Sequence, residues 1–184
     1  DNVGNTTLLA PIEYADISAY EFTGIKDYTF TGDSIYQQEI TSSLPKEQYV
    51  AVNYHNNVHA GKANFLVEGV FPYTIGSKYH EFTINPAQLE GDIEMDTDTV
   101  YFFYHAQAIT PAWKFTNQAY SQLRDRIDYW AEYSNNNYPG TATLTVSGIG
   151  DYTGTFTKQF TIDKAKLPED LYHVELPDSD ITYD

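Results

Sequence analysis

Four acidic residues alternate in the segment 91–100 and are the first candidates for chemistry in this sequence. They are Asp92, Glu94, Asp96 and Asp98. Carboxylate oxygens are the ligands that Ca2+ prefers, so these side chains could bind calcium at a junction between domains. The glycine and closing glutamate of an EF-hand loop are absent, which favours a solvated linker instead. We therefore expect no cofactor and no resident metal, with these four residues as weak calcium candidates.

Other catalytic patterns are equally sparse. His55 and His59 lie on either side of an Asn-Asn pair, but a third metal ligand is not apparent beside them. The chain has no cysteine, and its serines lack the Gly-x-Ser-x-Gly context of a nucleophile elbow. Acidic residues are so plentiful that pairs of carboxylates arise by chance. The sequence thus predicts a protein that is not an enzyme.

Charge and hydropathy exclude two classes of partner. The chain of 184 residues carries 10 Lys and Arg against 26 Asp and Glu, a formal net charge of −16. Nucleic acids and anionic membranes bind basic surfaces, so neither is expected as a partner. The longest apolar stretches, such as Val100–Tyr104, are far shorter than the ~20 residues of a spanning helix, so membrane insertion is not expected either.

Internal repetition is the strongest signal in the chain. Between Tyr54 and Ile84 thirteen of 31 positions are identical to the segment that starts at Tyr133, at an offset of 79 that drops to 78 near the end. The offset of 79 also places Leu44 opposite Leu123. Upstream, Phe30–Ile35 aligns with Tyr104–Ile109, and the tail at 180–184 matches the same element again. Two repeats and the start of a third are predicted.

These repeats set the predicted domain boundaries. Residues 1–9 form a leader or linker, 10–85 the first repeat and 86–163 the second. Residues 164–184 are predicted to hold a linker and the start of a truncated third repeat.

Local patterns within a repeat are those of short strands. Residues 141–147 alternate with period two, which places Ala142, Leu144 and Val146 on one face. Asparagines precede Gly61 and Gly140, as in hairpins that visit left-handed backbone, and Gly148 opens a second turn cluster. These three glycines are expected in turns or at strand ends. Turn signals every 8–12 residues, with about seven short strands per repeat, indicate antiparallel sandwiches.

One segment departs from this pattern, since residues 117–132 carry apolar side chains at roughly helical spacing. Its partner in the first repeat contains Pro45, so we expect at most a helical turn there, followed by a strand at Tyr129–Tyr133.

Strand parity separates core aromatics from a candidate binding residue. Trp113 and Phe115 are expected in the core, opposite Lys114. In the next strand, Tyr129, Ala131 and Tyr133 are expected to face inward, as are their counterparts Val50, Val52 and Tyr54. Trp130 then lies on the outer face with Glu132, where an indole offers a rigid platform for a sugar ring or a protein side chain. Covering by a neighbouring repeat or simple exposure is the alternative.

The second repeat resembles a known family over nearly all of its length. Its motif runs Asp128-Tyr-x-x-x-Tyr133-x-Asn-Asn, then Gly140-Thr-Ala-Thr-x-Thr-Val-x-Gly148, then Gly-Asp-Tyr-Thr-Gly. This pattern resembles the immunoglobulin-like repeats found in tandem in bacterial cell-surface proteins, especially those of Gram-positive species. The first repeat departs from it at Lys62, Asn64 and Pro72, and has Tyr36-Gln37 where the second repeat carries Thr110-Pro111.

The resemblance implies an all-β chain of two tandem immunoglobulin-like antiparallel β-sandwich domains. It implies a non-catalytic stalk or adhesin segment of a secreted, cell-wall-associated protein, extracellular and monomeric. A carbohydrate- or protein-binding module that uses exposed aromatics, Trp130 first among them, is the alternative. A host or matrix glycan or protein is then the expected partner.

Overall fold

The computed structural model describes residues 12–102 and 108–165. In these two ranges the chain forms fourteen β-strands and three short 3-10 turns, without an α-helix. None of the described segments is a helix long and apolar enough to cross a membrane. The all-β class is confirmed, and the several sheets are consistent with a β-sandwich. The predicted leader at 1–9, Tyr104 and the predicted third repeat lie outside the described residues.

The strands fall into two successive sets. The first set comprises β1 (Ala15–Asp16), β2 (Tyr28–Thr29), β3 (Tyr49–His55), β4 (Gly61–Gly69), β5 (Thr74–Ile75) and β6 (Ser77–Asn85). The second set comprises β7 (Ala87–Gln88), β8 (Ile93–Met95), β9 (Thr99–Phe102), β10 (Trp113–Phe115), β11 (Tyr129–Ser134), β12 (Gly140–Gly148), β13 (Tyr152–Thr153) and β14 (Thr155–Lys164). The 3-10 turns are Ile17–Ala19, Lys46–Gln48 and Gln118–Gln122.

Both sets pair in the same order. One four-stranded sheet has the order β2-β6-β4-β3, and the other has the matching order β9-β14-β12-β11. In each sheet an early strand runs parallel to the last one, β2 with β6 and β9 with β14. Two short parallel pairs, β1 with β5 and β7 with β13, also correspond. The antiparallel pair β8–β10 has only a single bridge, Thr23 to Thr41, as its counterpart. The strand order therefore repeats as the sequence does.

Matching hydrogen bonds support the alignment of Ile35 with Ile109. The Ile35 N–H donates to the Asn57 carbonyl oxygen at 2.8 Å, and Asn57 Nδ2 donates back to the Ile35 carbonyl oxygen at 3.0 Å. Ile109 and Asn136 form the same two bonds at 2.9 and 3.0 Å. Each asparagine thereby ties its hairpin to the preceding loop.

In each repeat a tyrosine hydroxyl also forms a hydrogen bond with the backbone of the loop that precedes the hairpin. Tyr133 donates to the carbonyl oxygen of Pro111, whereas Tyr54 accepts from the backbone N–H of Gln37 at 3.1 Å. Gln37, which replaces proline, is buried, and its amide bonds both the N–H and the carbonyl oxygen of Lys26, at 2.9 and 2.8 Å. Gln37, at the position where the motif has proline, therefore holds the segment around Lys26 in place by the hydrogen bonds of its side chain.

The described residues form two compact units. The first contains residues 12–90, 123–130 and 147–154. The second contains 91–102, 108–122, 131–146 and 155–165. The first unit thus includes three segments of the second repeat, namely residues 86–90 with β7, residues 123–130 with the start of β11, and residues 147–154 with β13.

The inner faces of β4 and β12 supply the centre of each core. Alternate residues in these strands are fully buried, as period two predicts, and this includes the three predicted for β12. They are Ala63, Phe65, Val67, Ala142, Leu144 and Val146.

The predicted hairpins are present. Asn56 and Asn135 have positive φ of 55° and 56°, and Gly61 and Gly140, which open β4 and β12, have φ of 137° and 146°. Such values are strained for most side chains, so Asn and Gly are favoured there. Gly148 ends β12 as predicted, but its φ is not positive, so a different constraint selects glycine at that position.

The predicted parity of β10, the core position of Phe115 and the predictions for the segment after β10 are also confirmed, although Trp113 is not fully in the core. Phe115 is buried and Trp113 half-buried, whereas Lys114 is exposed. The helical signal amounts to the five residues of Gln118–Gln122, and β11 begins at Tyr129.

The predicted inward position of Val50 is wrong. Val50 is 44% exposed, whereas its neighbour Tyr49 is buried. Tyr49, and not Val50, is therefore the counterpart of Tyr129. The offset between the repeats is 80 at this point, so the offset of 79 does not extend back to Leu44.

A β-bulge at Asn53 causes the shift. Val52 pairs with Leu66, but His55 pairs with Asn64, so two residues of β3 lie opposite one residue of β4. Asn53 occupies the bulge with φ of 53°. One extra residue reverses the parity of every position before it, which turns Val52 outward as well.

Deleting Asn53 is expected to change the free energy of unfolding by less than about 1 kcal/mol. The deletion relieves a left-handed residue, worth about 1–2 kcal/mol. It also removes a hydrogen bond from Asn53 Nδ2 to Glu68 Oε1 at 3.0 Å, worth about 0.5–1.5 kcal/mol. These effects nearly cancel, while the inward faces of Tyr49 and Tyr54 are kept. Urea denaturation measures the difference.

The control is deletion of Ala131 from β11, where the side chains alternate regularly along the strand. That deletion should turn Tyr129 outward and cost more than about 3 kcal/mol. Equal losses for the two deletions would contradict the bulge assignment.

Candidate functional site

Strand β11 displays Trp130 on its outer face. The side chain is 46% exposed, and the residues on either side of it are half-buried. The parity prediction for this strand is therefore confirmed. An indole held by a strand is a rigid apolar surface, because the backbone fixes its base and only two side-chain torsions remain.

The loop before β11 is ordered by a local ion pair. The Asp128 carboxylate accepts from the backbone N–H of Arg124 at 2.9 Å and from its Nε at 3.2 Å. Arg126 has φ of 65°, and its N–H donates to the carbonyl oxygen of Tyr129 at 2.6 Å. The loop is thereby folded back on the start of the strand.

This fold places a cation over the indole. The guanidinium carbon of Arg126 lies 5.3 Å from the centre of the Trp130 ring, within the range of a cation–π contact. Arg126 Nε also lies 3.7 Å from the Asp125 carboxylate. Ile127 in the same loop is 53% exposed. The surface formed by Arg126, Ile127 and Trp130, here called the Trp130 surface, combines apolar area with hydrogen-bond donors.

Tyr129 contributes structure rather than chemistry to this surface. Burial raises the pKa of its phenol, and the carboxylates of Asp125 and Asp128 raise it further. The phenol therefore stays protonated at neutral pH. The Trp130 surface can stack and donate hydrogen bonds, as a sugar- or protein-binding patch does.

The first repeat lacks this surface. Its counterpart of Trp130 is Val50, and the loop before β3 is shorter. Eight positions separate Thr41 from Tyr49, whereas sixteen separate Trp113 from Tyr129. Arg126 lies in this longer loop of the second repeat. Sequence reasoning missed this arginine, although the length difference between the aligned repeats is visible in the sequence.

The four acidic candidates are not brought together as a metal site. Strand β8 points Glu94 outward between two buried residues, and Glu94 pairs with Lys114 at 3.3 Å. Asp92 pairs with Lys158 at 3.6 Å, and Asp96 and Asp98 are exposed. In residues 12–102 and 108–165, no three histidine, cysteine or acidic side chains are grouped as a metal ion requires. These carboxylates pair with lysines or face solvent.

Comparison with known proteins adds no family. No protein-family model matches the chain, and no curated protein matches it.

Proposed function

We propose that this chain is a non-catalytic stalk or adhesin segment of a secreted, cell-wall-associated bacterial surface protein, built from two tandem immunoglobulin-like sandwiches. The observation that carries the proposal is the strand order, which repeats with its parallel pairs in the same places. Only Pro86 separates β6 from β7, so the second set of strands follows the first almost directly. Serial modules with so short a connection suit a spacer.

The parallel pairs suit a spacer under tension. β9 lies early in its repeat and runs parallel to β14, which ends the repeat. Pulling the chain from both sides draws two such strands past each other, so their hydrogen bonds are loaded together instead of one after another. The pair β2–β6 has the same geometry in the first repeat. Resistance to unfolding is what a stalk exposed to shear requires.

Pulling single molecules of the chain from its two ends tests the stalk role. We expect one resisting event per repeat, each releasing about 3.3–3.6 Å per unfolded residue. Proline at Val100 should remove a ladder donor towards β14, since Thr161 N–H bonds the Asp98 carbonyl oxygen at 2.8 Å and donors alternate along β9. A lost bond of about 0.5–1.5 kcal/mol raises the unfolding rate of one event up to about tenfold.

The matched control is proline at Tyr101. β9 lies at the edge of its sheet, and the N–H of Tyr101 points away from β14, so proline is tolerated there. Extension without resisting events, or equal effects of the two prolines, would contradict the stalk role.

The second candidate function is ligand binding at the Trp130 surface. A spacer gains nothing from an arginine ordered over an exposed indole, whereas a binding patch gains a stacking face and donors. The ligand class is a glycan or a protein of the host or matrix. The resemblance of the second repeat to cell-surface repeats implies an extracellular location for either function.

Replacing Trp130 with alanine separates the two candidates. Because the side chain is 46% exposed, we expect the free energy of unfolding to fall by less than about 1 kcal/mol. Binding to glycan arrays and matrix proteins is measured alongside, with Tyr79→Ala as the control, since Tyr79 is 55% exposed on the sheet of the first repeat. Lost binding for Trp130→Ala alone supports an adhesin. Absence of binding in the unmodified chain argues against it.

A further inference from the structure

A hairpin and a loop meet within the first compact unit. The hairpin joins β3 to β4, and the loop joins β12 to β13. Asp151 in the loop lies 2.7 Å from His59 Nδ1, and its other carboxylate oxygen accepts from the Ala60 N–H at 2.6 Å. Beside them the Phe30 ring lies edge-on to Tyr152 at 5.5 Å and stacks on His59 at 6.4 Å. The hairpin between β3 and β4 thus binds a loop of the following repeat, and this binding surface is here called the socket.

Each repeat carries both parts of such a contact. Strand β4 runs from one hairpin to the loop that precedes β5, and β12 runs from the other hairpin to the loop before β13. A strand of nine residues separates the two parts by about 26 Å at a rise of about 3.3 Å per residue. A repeat therefore has a receiving hairpin at one end and an inserting loop at the other.

The receiving hairpin of the second repeat keeps the aromatic base of the socket. Phe102 and Tyr138 lie 6.3 Å apart. Tyr138 stands in the place of His59, and Phe102 stands in the place of Phe30, because Val100 pairs with Ile162 as Tyr28 pairs with Ile84. The alignment of Phe30 with Tyr104 is therefore wrong at this position. A groove of about 380 Å3 is lined by Asn135, Asn137, Tyr138, Pro139, Gly140 and Thr141. Tyr138 is 75% exposed.

Two replacements change what this hairpin can bind. Tyr138 stands where the first hairpin has His59, so no imidazole is offered. Pro139 stands where the first hairpin has Ala60, and proline has no N–H to donate. A carboxylate like that of Asp151 therefore finds neither of its two partners here. The groove instead offers the Tyr138 and Pro139 rings to an apolar loop, beside the polar side chains of Asn135, Asn137 and Thr141.

The loop between β4 and β5 is the inserting loop of the first repeat. Its residues differ from those of the loop between β12 and β13 in a way that matches the replacements in the second hairpin. Phe71 and Pro72 stand where the other loop has Gly150 and Asp151. Phe71 is 69% exposed, although its ring also lies 5.3 Å from that of Tyr14. Tyr73, the counterpart of Tyr152, is 56% exposed. The carboxylate is absent from this loop, just as its partners are absent from the second hairpin.

We propose that the Phe71–Pro72 loop of one copy of this chain docks on the Tyr138–Pro139 hairpin of a second copy. Tyr73 then packs against Phe102, as Tyr152 packs against Phe30. The two surfaces differ, so the contact is heterologous and each copy offers both halves of it. Such assembly does not depend on whether the chain serves as a stalk.

The expected affinity is low and depends on salt. A single loop in a groove buries less than the roughly 1,200 Å2 of stable complexes. Each copy carries a net charge of −16, so copies repel at low ionic strength. Salt screens this repulsion and leaves an apolar contact intact. Association should therefore increase with added salt, whereas a contact based on Asp and His would weaken.

Disulfide trapping tests the proposed pairing. The chain lacks cysteine, so Ile75→Cys beside the loop and Asn137→Cys in the groove each introduce one thiol and leave Phe71 and Tyr138 in place. Equal amounts of the two variants, one labelled with 15N, are mixed and oxidised, and mixed dimers are counted by mass spectrometry. The control replaces Asn137→Cys by Tyr79→Cys, at a side chain that is exposed on β6. We expect at least a fivefold excess of mixed dimers for the proposed pair, and equal yields would overturn the proposal.

Sedimentation velocity provides the second measurement on the unmodified chain. We expect its average mass to rise with concentration and with salt, and Phe71→Ala and Tyr138→Ala each to abolish the rise. The double variant should lose no more than either single one, because both remove the same contact. Thermal unfolding checks that the variants are folded. A monomer at all concentrations, or association that persists in both variants, would overturn the proposal.

Discussion

Replacing Phe65 with alanine is expected to lower the free energy of unfolding by about 3–5 kcal/mol. Phe65 is fully buried in the middle of β4. Its ring centre lies 4.9 Å from that of Tyr54, 5.6 Å from that of His80 and 6.1 Å from that of Phe82. Alanine loses these contacts and leaves a cavity that strand-bound rings cannot fill. Urea denaturation followed by circular dichroism measures the loss.

Phe71→Ala is the matched control, since it makes the same chemical change at a side chain that is 69% exposed. It should cost less than about 1 kcal/mol. The comparison belongs at pH 7 or above, where His80 is neutral, because burial and then the charge of Lys78 lower its pKa. A loss at Phe65 no larger than the loss at Phe71 would mean that β4 does not form the core.

Replacing Gly148 with alanine is expected to cost about 1–3 kcal/mol through overpacking. An added Cβ would lie 2.8 Å from the backbone nitrogen of Thr153 and 2.9 Å from the carbonyl carbon of Tyr152. The approach is enforced by a hydrogen bond from the Gly148 N–H to the Gly154 carbonyl oxygen at 2.8 Å. Main-chain atoms cannot move aside as a flexible side chain can, so the turn before β14 must shift. Thermal and urea unfolding both report the change.

Gly69→Ala should have an effect of the same size, because its Cβ would lie 2.8 Å from backbone atoms of Thr74 and Ile75. The control is Thr143→Ala, which shortens a half-buried side chain on the same strand as Gly148. That change should remain within about 0.5 kcal/mol. Wild-type stability of both glycine variants would show that the close approach does not constrain the fold.

Several features were predictable because they depend on neighbours in the chain. The alternation around Leu144 determines which side of β12 is buried, since strand residues alternate between faces whatever the sheet around them. Asn135 and Gly140 predict a turn because few other residues adopt positive φ without strain. The internal repeat allowed one pattern to be checked against the other, which made the all-β class predictable.

The course of β3 was not predictable from alternation. Asn53 interrupts it, and nothing in the local sequence shows that two residues face one residue of β4. A bulge depends on the pairing of two strands, and pairing is a property of the sheet. Likewise, glycine at 148 is selected by the backbone of residues 152 and 153, which approaches only after the turn has closed.

The all-β class, the repeat and the outward position of Trp130 were predictable, because they follow from residue type and from the period along one strand. Only the tertiary structure placed Arg126 over that indole and Asp151 against His59. Positions 151 and 59 lie 92 residues apart, and no local pattern encodes which distant groups meet. Such contacts form when strands pair and loops close. The Trp130 surface and the contact of Asp151 with His59 could therefore be located only in the folded chain.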